Sequence, residues 1–290
     1  MQYQPAIYAC GEMADFFSVY GLTSARCSCG MSLKNCEFWG TVARDLSHRG
    51  LSVQDFPYFS RIQKKCEAHW TRGGSLFPAK YYSHYMEFMQ PFFTAVSALL
   101  GSECKAIVDS SKTSYLRENR PTTICKLAKY RVRVVHLVRD CRGVVWSVKK
   151  GLNRKLETGD KNKVFMPAAR AAAGWVHANR AASRLKRHLG ENNYCLFRYE
   201  DLVHDPVGVL EEIADRWDIN LDESICAAKV AAQGSELELP GLHQLAGNRM
   251  RFRKTFCIRP DYTWREQLHP GTSALVKNIV LPWMKKYGYV

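Results

Sequence analysis

The stretch RVRVVHLVRDCRGVVWSVKKG, residues 131–151, decides the fold. Val132, Val134, Val135, Leu137 and Val138 form an apolar, β-branched run of the kind that builds a strand buried on both faces of a parallel sheet. At Arg139 the run gives way to Asp140, a good helix N-cap. The spacing predicts a helix from there, with Cys141, Val144, Val145 and Val148 on its apolar stripe and Gly151 as its stop. Asp140, Gly143 and Ser147 share the neighbouring face. An Arg therefore stands at the carboxyl end of a strand and a Ser two turns up the next helix, at the edge where open α/β sheets bind ligands. A guanidinium fork and a hydroxyl over a helix N-terminus suit a phosphate. Alone, the pair is weak evidence, and a strand-end Arg on a carboxylate with a Ser that caps nothing is the more common reading.

Working outward, the same strand-to-turn grammar recurs. Ala6 to Cys10 reads as a short strand running into Gly11-Glu12, which puts a carboxylate just past a strand end. A first-turn helix Glu favoured by the dipole is the plainer alternative. Met13 to Tyr20 continues as helix. Ala106, Ile107 and Val108 read as a second buried strand, and Asp109-Ser110-Ser111-Lys112 as the turn after it, so Lys112 joins Arg139 at the carboxyl edge. Residues 115–130 read as the helix returning to the next strand, completing a βαβ unit. Residues 194–198 form a further strand ending in Tyr199-Glu200-Asp201-Leu202, and Asp205-Pro206 opens a helix with Leu210, Ile213, Ala214 and Trp217 inward.

The remaining segments carry weaker patterns. Residues 21–78 read as loop-rich, with Phe38, Trp39, Phe56, Tyr58, Phe59, Trp70 and Phe77 scattered among glycines and basic residues. Residues 80–100 read as helix interrupted at Pro91. Residues 152–164 have no apolar period and read as a surface loop, residues 166–189 as a long alanine-rich helix, and residues 272–286 as a closing one. In HQLAGNRMRF, residues 243–252, a Gly247-Asn248 turn flanked by Arg249 and Arg251 is built either to wrap a phosphate with backbone N–H groups or to be a basic surface turn.

Composition bounds the function. The chain has 290 residues, 46% of them hydrophobic, which allows one α/β domain or two small ones, with a sizeable core. No apolar run nears the roughly 18 residues of a membrane span, and MQYQPAIYACGE lacks the basic start and apolar stretch of a secretory signal, so the reading is a cytoplasmic chain without a membrane span. The net charge of +15 calls for anionic partners. Lys and Arg are scattered without a zinc-finger or RNA-binding signature, so a polyanionic nucleotide is preferred to nucleic acid. Eleven cysteines in such a chain read as reduced thiols. Only CSCGMSLKNC clusters three of them, Cys27, Cys29 and Cys36. That spacing departs from a CxxC knuckle and brings no fourth ligand, so it reads as a partly buried loop of thiols and no metal is assigned.

IVDSSK, VVHLVRDCRGVVWS, FRYEDLVHDP, GNRMRF and the terminal YGY, in that order, resemble the bacterial-type sulfotransferase family that uses 3′-phosphoadenosine 5′-phosphosulfate (PAPS). GEMADFF, CSCG and CEFW resemble its GE and cysteine-rich segment, and the likeness runs from about Gly11 to Tyr289. The resemblance implies a three-layer α/β fold, a parallel sheet flanked by helices of the P-loop-nucleotide-hydrolase type, as a single domain over residues 1–290. It implies that Arg139 and Ser147 hold the 3′-phosphate, that Tyr199 lies by the adenine, and that Gly247, Asn248, Arg249 and Arg251 close on the nucleotide. Glu12 corresponds to the family's base and Lys112 to a lysine near the transferring sulfuryl group. PAPS is then the donor, 3′,5′-ADP the product, no metal is required, and the acceptor is a small molecule or glycan carrying a hydroxyl or amine. The family's first strand and its GxxRSGTT-type loop have no counterpart before Glu12. The resemblance thus implies either a start assigned too late or a fold missing that strand and loop, with impaired transfer, or else a non-catalytic nucleotide-binding or interaction protein on the same fold.

Overall fold

The computed structural model describes residues 6–69, 79–112, 119–150, 167–238, 241–247 and 249–290. It is a mixed α/β structure whose main chain divides into two compact units. The first comprises residues 1–132, 221–224 and 238–256, the second residues 133–220, 225–237 and 257–290.

In the first unit, β1 (Ile7–Gly11) pairs in parallel with β2 (Ala106–Asp109), Ile7 opposite Ala106 and Ala9 opposite Val108, with a register shift before Gly11. A short 3-10 turn leads into α1 (Phe16–Val19). Residues 21–78, expected to be loop-rich, hold two helices, α2 (Glu37–His48) and α3 (Phe56–His69). Both have an apolar stripe at helical spacing: Phe38, Val42 and Leu46 with Trp39 and Ala43 on α2, and Phe56, Phe59, Ile62 and Cys66 on α3. Of the aromatic residues that look scattered along the sequence, Tyr58 is exposed, whereas Phe38, Trp39, Phe56 and Phe59 belong to this unit's core. Phe16 lies at its centre, with ring centroids of Phe17, Trp39, Phe56 and Phe92 at 4.9–5.5 Å. Trp70 and Phe77 lie outside the described residues. Helix α4 (Ala79–Leu100) runs through Pro91 without a break. The return helix expected over residues 115–130 is shorter, α5 (Arg120–Lys126), and residues 113–118 lie outside the description.

In the second unit, β3 (Val134–Val138) pairs in parallel with β4 (Tyr194–Arg198), in register from Val134 opposite Tyr194 to Val138 opposite Arg198. Between them run α6 (Cys141–Lys150) and α7 (Pro167–Leu189), the crossover a parallel pair requires. Gly151, the expected stop of α6, and the loop at 152–164 lie outside the described residues. Helices α8 (Tyr199–His204) and α9 (Pro206–Trp217) follow β4, the latter capped by Asp205, whose Oδ1 accepts from Gly208 N at 2.9 Å. The chain continues through α10 (Asp222–Ala232), β5 (Leu237–Glu238) and β6 (Thr255–Phe256), the last of them in the first unit, and then through α11 (Trp264–Gln267) and α12 (Pro270–Lys286) of the second.

Burial on both faces of the 132–138 strand does not hold. His136 and Val138 are buried, whereas Val135, Leu137 and, on β4, Leu196 are exposed. Val138, Cys141, Val145 and Trp175 pack with Val276, Val280 and Met284, so α6, α7 and α12 shield the other face of β3. Val148, expected on the inner stripe of α6, is exposed.

Candidate functional site

Two clusters of predicted site residues form, one in each unit. In the second unit Arg139 leaves the end of β3 with its carbonyl accepting from Trp175 Nε1 at 2.9 Å. Its Nη2 donates to the Asp261 carboxylate at 3.0 Å and to the Asp261 carbonyl at 2.9 Å. The guanidinium lies over the Tyr199 ring, 4.7 Å from its centroid. Gly143 makes this posture possible, because a Cβ there would sit 3.1 Å from both Arg139 Nε and Trp264 Cδ1. The glycine's role is space for the guanidinium. Ser147 stands one turn further along α6 and is exposed.

Asp140 does cap α6, but chiefly through Arg142. Its Oδ1 accepts from Arg142 N at 2.8 Å and from Arg142 Nε at 3.0 Å, while Oδ2 takes Nη2 at 2.6 Å. Arg142 in turn covers Trp264 at 4.5 Å. Asp201 repeats the device at the start of α8, fixing Arg198 through two N–H groups of its guanidinium. Those hydrogen bonds hold the Asp201 carboxyl below its ordinary pKa. Asp261 is lowered too, first by Thr263, whose hydroxyl donates to it at 2.7 Å, and then by Arg139. Asp261 is the partner that sequence reasoning missed. It is 122 residues from Arg139, and nothing in the local pattern marks it.

The terminal YGY proves structural. Tyr289 donates to the Val138 carbonyl at 2.9 Å and touches Glu200 Oε2 at 2.6 Å; burial, and then Glu200, push its pKa up. Tyr287 pairs with Ser183 Oγ at 2.9 Å. The C-terminal residues therefore pin the strand end from which Arg139 projects.

In the first unit Gly11 has φ +78°, and its Cα faces the Leu245 backbone so closely that no Cβ fits. Segment 243–247 continues along the strand end: Leu245 N donates to Cys10 O at 2.8 Å and Glu12 N to Leu245 O at 2.7 Å. Gly247, φ +83°, rests against Glu12, where a Cβ would come 3.2 Å from Oε1. Glu12 is buried and holds Lys112 Nζ at 2.5 Å, with the lysine side chain 65% exposed. The buried carboxylate and the exposed ammonium are thus distinguishable. Arg251 Nη1 donates to the Gly247 carbonyl at 2.7 Å, closing the turn on itself. Arg249 opens the 3-10 turn that follows, and Asn248 lies outside the described residues.

The turn after β2 holds this arrangement in place. Asp109 Oδ1 accepts from Met13 N at 3.1 Å and Ser111 N at 2.9 Å, and Ser111 Oγ accepts from Ala14 N at 2.9 Å. Asp109 Oδ2 accepts from Arg120 Nε at 2.9 Å, and Arg120 also contacts fully buried Glu67. Burial alone would lower the Arg120 pKa; Glu67 and Asp109 overcome it and raise it.

A third cluster gathers three cysteines and a histidine. The metal-ligating atoms of Cys27, Cys29, Cys36 and His243 all lie within 4.8 Å of one another. His243 is the fourth group that the local cysteine spacing did not supply, brought in from 207 residues away. The hydrogen bond from Cys27 pulls the Cys36 thiol below its ordinary pKa, and the same bond with burial pushes Cys27 up.

Residues 131–223 match the family model described as the sulfotransferase family. That segment holds β3, Arg139, α6 and Ser147, and runs on past Tyr199. No curated protein matches the chain. Among solved structures it is similar to the sulfotransferase domain of the Synechococcus PCC 7002 olefin synthase, at 17% identity over 94% of this chain and 93% of that one. It is also similar to the sulfotransferase domain of the curacin biosynthetic pathway, at 12% identity over 96% and 98%. Both superpose with a TM-score of 0.39.

Proposed function

We propose that this sulfotransferase-type protein takes its sulfuryl group from PAPS and passes it to an acceptor hydroxyl or amine, releasing 3′,5′-ADP. The observation that carries the reading is Arg139 within the family segment, laid over Tyr199 at the end of a parallel strand. An arginine so held presents N–H groups to a dianion while its flat face stays on an aromatic ring. The 3′-phosphate competes with Asp261 for the guanidinium, and Ser147 adds a hydroxyl. Tyr199 offers an apolar face for the adenine. Gly247, Asn248, Arg249 and Arg251 form the closing turn.

In the transfer, the acceptor oxygen or nitrogen bonds to sulfur as the bond from sulfur to the bridging phosphate oxygen breaks, and 3′,5′-ADP carries away the electron pair. Glu12 takes the acceptor proton. Its buried, backbone-anchored position suits a general base, a role typically worth ~10²–10⁴-fold. Lys112 leaves Glu12 for the bridging oxygen and neutralises the charge developing there. Its exposure supplies the freedom for that swing.

Titration calorimetry of the chain with 3′,5′-ADP, beside turnover of labelled PAPS over a panel of hydroxyl and amine acceptors, tests the proposal. Saturable binding that Arg139→Ala abolishes, together with labelled product, is the expected result. Binding without product on any acceptor would reduce the protein to a nucleotide binder; no binding at all would overturn the reading.

A further inference from the structure

We propose that Cys27, Cys29, Cys36 and His243 bind one Zn²⁺ as a closed, structural Cys₃His site. The argument begins with edge lengths. With Zn–S about 2.3 Å and Zn–N about 2.0–2.1 Å, the ligand atoms of a tetrahedral site stand roughly 3.5–3.8 Å apart. Cys29 Sγ lies 3.8 Å from Cys36 Sγ, Cys27 Sγ lies 3.7 Å from His243 Nδ1, and Cys36 Sγ lies 3.3 Å from His243 Nδ1. These three edges lie at or within a few tenths of an ångström of that spacing, and all four ligand atoms lie within 4.8 Å of one another. Four donors of this softness select zinc over the hard cations, and a full protein shell leaves no position open for chemistry.

The surroundings are built to the same end. Cys27 N donates to Met31 O and Gly30 N to Cys27 O, both at 2.9 Å, and Gly30 adopts φ +88°. This tight turn brings Cys27 and Cys29 to one side. Cys36 immediately precedes α2, where the helix N-terminus favours a thiolate. His243 is held at every point: its N–H donates to Tyr8 Oη at 3.0 Å, its carbonyl accepts from Trp39 Nε1 at 2.9 Å, and its ring stacks on Phe38 at an interplanar angle of 6°. These contacts fix the backbone and the ring plane of His243 while its Nδ1 faces the thiols. Ser28 fastens the two segments together, its N–H donating to Gln244 O at 3.0 Å and its hydroxyl accepting from Gln244 N at 2.7 Å. Binding releases the thiol protons to solvent.

The site has a position in the fold that explains its use. His243 is two residues before Leu245, which pairs with the end of β1, and four before Gly247, which rests on Glu12. A zinc clasp between the cysteine loop and segment 242–247 secures that segment without a longer core.

The test is metal analysis of the full chain purified under reducing, chelator-free conditions. One zinc per chain is expected, unchanged in Cys226→Ser, whose thiol is exposed and outside the cluster, and reduced at least ten-fold in His243→Ala and Cys29→Ser. Should those variants fail to fold, exchange of the wild-type chain with Co²⁺ decides the matter. Intense visible d–d bands with a thiolate-to-cobalt charge-transfer band mark tetrahedral thiolate ligation. Folded wild-type protein that holds no zinc after zinc addition, and shows no such cobalt spectrum, overturns the proposal.

Discussion

Glu12 and Arg139 have opposite kinds of surroundings, and their substitutions should separate accordingly. Glu12 is anchored by its own backbone and pairs with the exposed Lys112, so Glu12→Gln keeps shape while removing the basic oxygen. Turnover should fall by ~10²–10⁴-fold with 3′,5′-ADP affinity unchanged; parallel loss of affinity would show that Glu12 is structural. Arg139→Lys should instead weaken nucleotide binding, because an ammonium cannot both lie flat on Tyr199 and offer a fork. His136 supplies a pH prediction. Burial lowers its pKa below the ordinary value, aided by Lys286 and opposed by the hydrogen bond to Asn179 Oδ1; Tyr194 and Tyr287 complete its surroundings. The unfolded chain therefore binds the extra proton first, and stability falls as pH drops below about 6.5, by at most ~1.4 kcal/mol per pH unit. Asp201 and Asp261, being lowered carboxyls, lose their contributions only in the more acid range. Urea midpoints across the neutral-to-acid range should show this slope in the wild type and lose it in His136→Gln. At this scale the sequence was legible for groups placed by local grammar: a strand end placed Arg139, and the Gly-Glu pair placed Glu12. Asp261 and His243 were not, since their partners are brought by the fold from 122 and 207 residues away.

Among the elements, the β2–α5 connection depends on the ion pair of Arg120 with Glu67 and Asp109. Their side chains are 4%, 0% and 20% exposed, and Tyr85 and Gln63 also donate to Glu67, at 3.2 and 3.1 Å. Removing the guanidinium leaves a buried carboxylate uncompensated, so Arg120→Met should cost about 3–5 kcal/mol in chemical denaturation. Adding Glu67→Gln should recover part of that loss, and strict additivity of the two would refute the coupling. Gly11→Ala tests the neighbouring element, because positive φ and the Leu245 backbone both exclude a Cβ. A loss larger than the ~1 kcal/mol of a conformational penalty alone is expected, since segment 243–247 must move. Strands β1 to β4 were legible because each is a short apolar run ended by a polar turn. Helices α2 and α3 were overlooked although Phe38-Val42-Leu46 and Phe56-Phe59-Ile62 keep helical period. Their stripes are aromatic and interrupted by Gly, Pro and basic residues, which mimics a binding loop. The exposure of Val135 and Leu137 was hidden for another reason: a β-branched run states hydrophobicity, not which faces are covered.

For the whole molecule, a charge of +15 attracts any polyanion, so affinity for anions alone does not identify the ligand. Salt dependence does. Nucleic acid held by scattered lysines and arginines gains its affinity from counterion release, and that affinity collapses as salt rises across the physiological range. A nucleotide held by one guanidinium fork, a hydroxyl and an aromatic face relies on few ion pairs and short-range contacts, and should respond weakly. Linkage turns this into a stability measurement: a ligand at a hundred times its Kd raises the unfolding free energy by about 2.7 kcal/mol, which for a chain of this size is roughly 4–5 °C in Tm. Saturating 3′,5′-ADP should give a shift of that order which survives physiological salt, disappears in Arg139→Ala, and is not reproduced by 5′-AMP, which lacks the 3′-phosphate. An equal response to 5′-AMP would remove Arg139 and Ser147 from 3′-phosphate recognition. A shift that vanishes with salt in step with single-stranded DNA binding would assign the basic surface, rather than the strand-end arginine, as the source of anion affinity.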